Sequence, residues 1–285
     1  MIVTRFAPSP TGYLHLGHAL AALVAHDAAH GGKFRLRIED LDVGRARDDY
    51  VEMVFEDLRW LGLSWDGPVP RQSLRFNVYR TAISRLEAEG LLYPCFCTRA
   101  DIAAEIAHAS EAPHGPDGPL YPGTCRALSA EERRLLIDRG AAYALRLDSR
   151  RAAERLPDLS FEEALDPQQT GYRSIPVDPL RFGDVVLARK DVPASYHLAV
   201  SIDDADQGVT LVTRGNDLLP ATHIQRVLQA LLDLPVPRYA HHRLVLDERG
   251  RKFSKRDSAA TLRDLRANGV SPDEVRSRLF GQPCR

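Results

Sequence analysis

Two histidines, His15 and His18, lie in a stretch near the N-terminus that could bind phosphate: residues 5–18, RFAPSPTGYLHLGH. The stretch is predicted to leave a short apolar strand, cross a loop whose prolines exclude helix, and enter a helix. Unpaired N–H groups at the helix start and the helix dipole favour a negative charge, and Gly17 permits close approach. Because side chains at i and i+3 share a face, both imidazoles would point toward the same anion.

A second group of chemically useful residues lies near the other end of the sequence, in the basic run KFSKR at residues 252–256. By itself such a basic run is usually a solvated turn. Together with the N-terminal stretch, its Lys252 and Lys255, with Ser254 between them, become candidates to attract a phosphate chain. The sequence contains neither G-x-G-x-x-G nor G-x-x-x-x-G-K-[ST], so it lacks the other common nucleotide motifs. It also lacks a G-x-S-x-G elbow and a thiol–imidazole pattern, and no protein nucleophile is predicted.

Acidic residues follow the predicted strand FRLRIEDLD: Glu39, Asp40 and Asp42. In an open parallel sheet, ligands bind beyond the carboxyl ends of strands, so these acids are expected beside the phosphate corner. Two residues of later predicted strands, Tyr196 and Arg214, also carry polar groups. Judged without further information, Arg214 would be a surface residue at the end of a strand.

Three cysteines surround a proline- and glycine-rich segment: Cys95 and Cys97 form a C-x-C pair, and Cys125 lies 28 residues beyond Cys97. Four cysteines in a chain of this length do not indicate a disulfide scaffold. The three thiols favour a structural metal clip, with three ordinary buried cysteines as the alternative. A tetrahedral zinc site needs a fourth ligand, and imidazole is the commoner one, so chemistry alone favours the first of three candidates: His114, His108 and Tyr121.

The composition limits the kind of protein. The 285 residues include 38 Lys and Arg against 39 Asp and Glu, which argues against holding nucleic acid by bulk charge, although a local basic face is compatible with this balance. No run approaches 18 apolar residues, and residues 1–4 open directly into a strand. We therefore expect no signal peptide and no membrane span, but a cytoplasmic protein. No heptad pattern calls for a partner, so a monomer is expected.

The elements that must position these residues can be predicted from periodicity and caps. Helices are predicted over 18–30, 48–61, 76–89, 129–140 and 221–232, and a further capped helix at 271. Besides FRLRIEDLD, strands are predicted for AYALRL, DVVLAR, SYHLAVSIDD and VTLVTR.

The N-terminal stretch RFAPSPTGYLHLGH resembles the first signature of class I aminoacyl-tRNA synthetases, in the form that glutamyl-tRNA synthetases use. KFSKR is similar to their second signature, K-M-S-K-S; Phe253 and Arg256 depart from it, but both lysines and the inner serine are present. The two motifs have the expected order and separation, and the resemblance covers residues 5–256. It implies an α/β fold: a Rossmann-like class I catalytic core with an inserted zinc-containing α+β subdomain and a short helical C-terminal end.

The resemblance implies that ATP binds at the two signatures. His15 and His18 would act catalytically there with Lys252 and Lys255. The remaining ATP contacts that the resemblance implies come from Gly17 and Ser254. Mg²⁺ is expected to bind together with the phosphates.

The resemblance also implies a pocket for L-glutamate. R-I-E-D is similar to an element whose glutamate receives the substrate's ammonium group, a role that would fall to Glu39. Tyr196 would line the pocket, and Arg214 would pair with a substrate carboxylate, for which its guanidinium fork is suited. The other wall would be formed by consecutive residues: Arg5, Phe6, Ala7, Pro8 and Ser9.

C-x-C…Y-x-x-x-C resembles the zinc element of one branch of this family, the glutamyl-queuosine tRNA(Asp) synthetases, in which tyrosine completes the site. Tyr121 and Cys125 match its spacing, so the resemblance selects Tyr121 as the fourth ligand of a structural Zn²⁺. Full glutamyl-tRNA synthetases continue into a large anticodon-binding domain, which is not expected here because only about 30 residues follow KFSKR. The resemblance therefore implies ATP-dependent activation of L-glutamate and its transfer to the queuosine base at the wobble position of tRNA(Asp).

By this resemblance the sequence divides into four parts: 1–92, the first half of the nucleotide-binding fold; 93–181, an acceptor-binding insert with the zinc clip; 182–240, the second half; and 241–285, the KFSKR loop with a short helical region. Two alternatives remain open. One is a glutamyl-tRNA synthetase fragment that charges tRNA(Glu) with a separate partner. The other is an inactive regulator that binds amino acid or tRNA, against which the intact histidine and lysine pairs argue.

Overall fold

Helices and strands alternate along the part of the chain that the computed structural model describes, residues 1–108, 114–115, 118–165, 171–189, 192–246 and 260–281. The helices are α1 (Leu16–Ala28), α2 (Asp48–Trp60), α3 (Phe76–Ala88), α4 (Arg99–His108), α5 (Ala130–Asp138), α6 (Ser149–Arg155), α7 (Tyr196–Asp206), α8 (Ala221–Leu231), α9 (Leu262–Ala267) and α10 (Pro272–Phe280). The strands are β1 (Val3–Phe6), β2 (Lys33–Leu36), β3 (Leu92–Cys95), β4 (His114–Gly115), β5 (Gly118–Pro119), β6 (Ala144–Leu147), β7 (Ser160–Ala164), β8 (Tyr172–Pro176), β9 (Val186–Arg189), β10 (Leu211–Gly215) and β11 (Arg238–His242).

Two parallel strand pairs lie side by side at the centre of the fold. β1 pairs with β2, and β10 pairs with β11, both in parallel. The Val3 carbonyl accepts a hydrogen bond from the Thr210 N–H at 2.9 Å, which brings the start of β10 beside β1. β11 continues through a parallel bridge to β7, which pairs antiparallel with β8. Helices connect the parallel strands, as in a doubly wound sheet, and the predicted α/β fold is confirmed.

Helix α1 lies close against the sheet because its inward face is made of small residues. Ala19, Ala22 and Ala25 have no exposed surface, and Leu20 and Leu23 are almost completely buried. The helix packs against β1 and β10. Its N-terminus is thereby held at the end of these strands, where the first signature begins.

A separate antiparallel sheet, in the order β3-β6-β9, follows the first half of the sheet in sequence. Its buried residues, such as Leu147 and Leu187, join the second large apolar core, which also includes residues of α3, α7 and α8. Within the described ranges, no helix combines the length and apolarity needed to cross a lipid bilayer.

One predicted strand is wrong. The run SYHLAVSIDD forms helix α7, whose N-cap is Ser195; the Ser195 side chain accepts a hydrogen bond from the Leu198 N–H at 3.3 Å. Residues 198–204 are buried on all sides of the helix, so the sequence lacks the polar face that reveals a surface helix. Its β-branched residues then imitate a buried strand. Tyr196 consequently stands at the first turn of a helix and not in a strand.

The other predicted elements are found with small shifts at their ends. The predicted strand FRLRIEDLD is shorter than expected, since β2 ends at Leu36. The capping box of Ser129 and Glu132 is present at the start of α5. Ser271 caps α10 as expected, by accepting a hydrogen bond from the Glu274 N–H.

Candidate active site

A cavity of about 330 Å³ opens at the carboxyl ends of β1 and β10, next to the start of α1. The chain that leaves β1 forms one wall, and the chain that leaves β10 forms the opposite wall. Residues 242–245, at and after the end of β11, close a third side. This is the edge of a parallel sheet at which ligands bind, so the cavity is the candidate active site.

The two histidines of the first signature stand together at one end of the cavity. Their ring centroids are 3.9 Å apart. The Nδ1 atom of His15 accepts a hydrogen bond from the Gly17 N–H at 3.1 Å, and Nδ1 of His18 accepts from the His15 N–H at 3.2 Å. Because each Nδ1 is an acceptor, the neutral rings carry their protons on Nε2, where they can donate to an anion.

This corner differs from the predicted one in a detail. The sequence predicted free N–H groups at the start of α1, whereas the Gly17 N–H is used by the His15 side chain in a capping box. One of the backbone donors of this helix start is therefore already used by a side chain.

At the other end of the cavity, Arg5 is held by a buried acid. Its Nε atom donates to both carboxylate oxygens of Asp204, at 3.1 and 3.3 Å, and its Nη1 donates to the Thr213 carbonyl. Arg5 and Asp204 are each 5 % exposed. Burial alone would raise the pKa of Asp204, but the neighbouring guanidinium groups of Arg5 and Arg37 outweigh it and lower that pKa. Arg5 is thus fixed as a cation.

Glu39 is held in the same network by the fully buried Arg37. Arg37 donates through Nη2 to Glu39 at 3.0 Å and through Nη1 to Asp204 at 2.8 Å. Burial disfavours the charge of Arg37, yet the carboxylates around it raise its pKa. Burial raises the pKa of Glu39, and Arg37 only partly opposes this. The neighbouring acids of the sequence do not take part: Asp40 binds Ser73 and Arg71, and Asp42 is half-buried and paired with Arg45.

Arg214 and Tyr196 reach the cavity from different elements. Arg214 lies on β10 and donates to His241, Gln225 and Thr222 at 3.1, 2.8 and 2.7 Å. Tyr196 begins α7, and burial raises the pKa of its hydroxyl, which therefore stays protonated. Both side chains line the cavity together with Arg5 and Glu39.

The segment that carries the second signature lies outside the described residues, but the chain on both sides of it adjoins the histidine corner. Before it, residues 242–245 line the cavity. After it, Thr261 bridges to His15, and the Leu262 N–H donates to the Leu14 carbonyl at 2.8 Å. The described residues on both sides of 247–259, the range that includes Lys252, Ser254 and Lys255, therefore lie near the histidine corner.

The three cysteines of the predicted clip lie together, far along the chain from the first signature. Their Sγ atoms are within 4.8 Å of one another, and those of Cys97 and Cys125 are 3.4 Å apart. The Tyr121 hydroxyl is 3.4 Å from Cys95 Sγ and 3.5 Å from Cys97 Sγ. Zinc–sulfur bonds of about 2.3 Å in a tetrahedron separate sulfur atoms by roughly 3.8 Å, so these residues could hold a metal ion.

The sequence of this chain matches the family of class I tRNA synthetases (E and Q), catalytic domain, over residues 1–280. The chain belongs to this class I synthetase family. The predicted ligase-type enzyme and the class I fold are thereby confirmed.

Curated relatives and solved structures agree with this assignment. The chain is 50 % identical to a glutamyl-Q tRNA(Asp) synthetase of Rhodobacter capsulatus, over 98 % of this chain and 100 % of the relative. It is 39 % identical to the glutamate–tRNA ligase of Aquifex aeolicus, over 99 % of this chain and 56 % of that protein. A crystal structure of a glutamate tRNA ligase from Elizabethkingia meningosepticum in complex with its amino acid superimposes with a TM-score of 0.72, at 29 % identity, over 90 % of this chain and 52 % of that one. The resemblance to glutamyl-queuosine tRNA(Asp) synthetases is confirmed.

Most of the residues that the sequence analysis singled out line the cavity of this class I synthetase. The predicted site residues that line it are Arg5, Phe6, Ala7, Pro8, Ser9, His15, Gly17, His18, Glu39, Tyr196 and Arg214. Lys252, Ser254 and Lys255 lie outside the described residues. Of the alternative metal ligands, the side chains of His108 and His114 also lie outside them. The individual roles of all these residues remain predictions.

Several residues of this synthetase's site were missed by sequence reasoning. Thr213, Asp217 and His242 line the cavity, and Arg37, Asp203 and Asp204 support it from behind. Asp217 lies three residues after Arg214, and His242 lies shortly before the KFSKR segment, so both are close in sequence to residues that were singled out. Arg37 belongs to the R-I-E-D element that was singled out for Glu39, but the local sequence does not indicate that Arg37, Asp203 and Asp204 are buried together.

Proposed function

We propose that this class I synthetase activates L-glutamate with ATP and transfers the glutamyl group to the queuosine base of tRNA(Asp). The observation that carries the proposal is that a single cavity has two histidine donors at one end and Arg5, Glu39 and Arg214 at the other. Relatives named glutamyl-Q tRNA(Asp) synthetase, 42–50 % identical over 98–99 % of this chain, support the choice of tRNA.

In the first step, a carboxylate oxygen of glutamate attacks the α-phosphorus of ATP. The bond from that phosphorus to the bridging oxygen breaks, and pyrophosphate leaves with the bonding electrons. His15 and His18 donate through Nε2 to the phosphate oxygens, and Lys252 and Lys255 stabilise the charge that develops on the phosphate chain. Positioning and charge account for the catalysis, as in other phosphoryl-group chemistry, and Mg²⁺ enters with ATP as part of the substrate.

The charged walls of the cavity orient the amino acid for this attack. Glu39 receives the ammonium group, and Arg214 binds the side-chain carboxylate with its guanidinium fork. Within the described chain, the three hydrogen bonds of Arg214 leave one N–H on each terminal nitrogen for this purpose. In the second step, a hydroxyl of the queuosine base attacks the glutamyl carbonyl carbon, and AMP leaves.

The metal clip is assigned a structural role in this proposal. Cys95, Cys97, Cys125 and Tyr121 would hold Zn²⁺, which supplies a cross-link between parts of the chain that have little apolar core of their own. Metal analysis should find about one zinc per chain, lost in Cys97→Ser. Tyr121→Phe should weaken zinc binding, whereas His114→Ala should retain it. The reverse result for this pair would make His114 the fourth ligand.

Pyrophosphate exchange tests the activation step. Wild-type protein should exchange labelled pyrophosphate into ATP with glutamate present and tRNA absent, and other amino acids of a panel should give far less exchange. If no amino acid of the panel supports exchange, the proposal is refuted and a regulator that only binds its ligands is favoured.

Transfer to tRNA tests the second step separately. Labelled glutamate should appear on tRNA(Asp) that carries queuosine, and should be absent from the same tRNA with unmodified guanosine at the wobble position. Label on tRNA(Glu) instead would favour a charging enzyme of the kind to which the Aquifex aeolicus relative belongs.

A further inference from the structure

Arg214 is held from behind by a buried pair of residues that does not line the cavity. Its Nε atom is 3.1 Å from Nε2 of His241, and Nδ1 of His241 is 2.8 Å from Oε2 of Glu163. The side chains of His241 and Glu163 are 1 % and 5 % exposed. The three residues lie on the neighbouring strands β10, β11 and β7, where Arg214 and His241 are register partners.

The hydrogen bonds that run from Arg214 through His241 to Glu163 form a relay. Only one assignment of donors and acceptors is possible in this relay. Arg214 Nε can only donate, so His241 Nε2 must accept and carry no proton. The proton of the neutral ring is then on Nδ1, from which it is donated to Glu163 Oε2. The other oxygen of Glu163 accepts from the His241 backbone N–H at 3.0 Å, which fixes the carboxylate.

We infer that Glu163 and His241 are positioning residues, which hold Arg214 in the orientation that binds the substrate's side-chain carboxylate. This inference rests on the proposed function, in which Arg214 recognises glutamate. Thr222 and Gln225 hold the terminal nitrogens of Arg214, and the relay holds its Nε. Together these contacts restrict rotation of the guanidinium, which lines the cavity.

The relay predicts a pH dependence of glutamate binding. Burial lowers the pKa of His241, and the positive charges of Arg214 on β10 and Arg5 on β1 lower it further. Glu163 on β7 acts in the opposite direction and raises this pKa. On β11 itself, Tyr239 stacks on the ring and His242 follows it. Protonation at acid pH would place an N–H donor and a positive charge against Arg214 Nε, so the KM for glutamate should rise as pH falls through the pKa of His241.

Two isosteric variants test the relay through pyrophosphate exchange. Glu163→Gln removes the acceptor of the Nδ1 proton, and its amide favours the other tautomer, which points a donor at Arg214. The KM for glutamate should rise about 10-fold, as expected for losing a hydrogen bond to a charged group, with little change in kcat. His241→Gln can still accept from Arg214 through its amide oxygen but cannot titrate, so the part of the acid-pH rise in KM that His241 causes should be lost in this variant.

A matched control and a spectroscopic measurement separate positioning from general stability. His223 is also a buried histidine of low pKa, and its Nδ1 accepts from the Asp178 N–H at 3.0 Å away from the cavity, so His223→Asn should leave the KM and its pH profile unchanged. In a ¹⁵N-edited NMR spectrum of the wild type at neutral pH, His241 should have a protonated Nδ1 and an unprotonated Nε2.

The possible results have distinct meanings. A wild-type His241 that carries its proton on Nε2, or is charged at neutral pH, overturns the inference, as does an unchanged KM in both relay variants. A fall in kcat at constant KM overturns it too, since positioning of a binding group predicts the reverse. In each case wild-type exchange with glutamate would still stand, whereas a wild type that does not respond to glutamate refutes the proposed function as well.

Discussion

The two ends of the cavity are built in different ways. At the phosphate end, His15 and His18 are held by hydrogen bonds to backbone within the same helical turn. At the amino-acid end, Arg5 and Glu39 are held by Arg37 and Asp204, whose carboxylate comes from 199 residues beyond Arg5. The cited hydrogen bonds of the first end lie within one helical turn, although Thr261 bridges to His15 from a distant part of the chain. The second end depends on ion pairs between distant strands and helices.

Because of this difference, we expect substitutions at the two ends to have different effects on the stability of the fold. Recognition of a small charged amino acid needs fixed charges in a dry site, and fixing them requires partners that are also buried. Phosphate needs preorganised donors that act in the transition state, and here the two imidazoles accept hydrogen bonds from backbone N–H groups at the start of α1. Substitutions at the amino-acid end should therefore lower the free energy of unfolding and raise the KM for glutamate. Substitutions at the phosphate end should mainly lower kcat.

The largest effect is expected at Asp204. Asp204→Ala leaves Arg5 and Arg37 buried without their shared carboxylate, so the free energy of unfolding should fall by about 3–5 kcal/mol and the KM for glutamate should rise. Chemical denaturation measures the first quantity. The control is Asp206→Ala, an exposed acid of the same helix paired with Arg75, which should cost less than about 1 kcal/mol. Equal losses in both variants would contradict the contrast between the two ends.

A rate effect without a stability effect is expected at Lys255. Lys255→Ala removes a charge that stabilises the transition state, so kcat for pyrophosphate exchange should fall by about 10²–10³-fold. The KM for glutamate and the unfolding curve should stay close to those of the wild type. The matched control is Arg256→Ala, which removes the neighbouring charge of the same run, at a position where K-M-S-K-S has serine. A comparable loss in Arg256→Ala would show that net charge, and not a specific ammonium group, matters.

The same contrast explains how much the sequence could predict. The phosphate end was predictable because its prolines, glycine and histidines are contiguous, and a local motif determines a local structure. Tyr196 lines the cavity but was assigned to the wrong element, because residues 198–204 of α7 are buried on all sides and do not show the period of a surface helix.

The supporting charges of the amino-acid end could not be predicted. Asp204, Glu163 and His241 act through partners that are far from them in sequence, and no spacing rule connects residues of different strands before the sheet order is known. The resemblance supplied Arg5, Glu39 and Arg214 as residues that touch substrate, but not what holds them in place.

The smallest of the expected effects is at Asp57, a buried aspartate outside the cavity. It lies on α2 and has no exposed surface, and neither carboxylate oxygen has a hydrogen-bond partner among the described residues. The nearest cation, Arg266 Nη1 of α9, is 3.9 Å away, and burial raises the pKa of Asp57 to about 6. Asp57 is thus buried like Asp204 but lacks, in the part of the chain that the structure describes, hydrogen bonds of the kind that Asp204 accepts from arginines.

The two aspartates should therefore respond oppositely to pH. The lowered pKa of Asp204 means that its ionised form stabilises the fold above its ordinary pKa, and this contribution is lost as pH falls through the lowered value. The raised pKa of Asp57 means that its ionised form costs stability, and the cost grows as pH rises from about 4 to 6.

Asp57→Asn should accordingly raise the free energy of unfolding at pH 7 by about 1–2 kcal/mol, with no gain near pH 4. Glu56→Gln, an exposed neighbour paired with the same arginine, should change it by only a few tenths of a kcal/mol at either pH. Thermal unfolding at the two pH values measures both. If Asp57→Asn is instead destabilising at pH 7, an unpartnered buried carboxylate is favourable in this fold, and pairing is not the reason that the amino-acid end tolerates its charges.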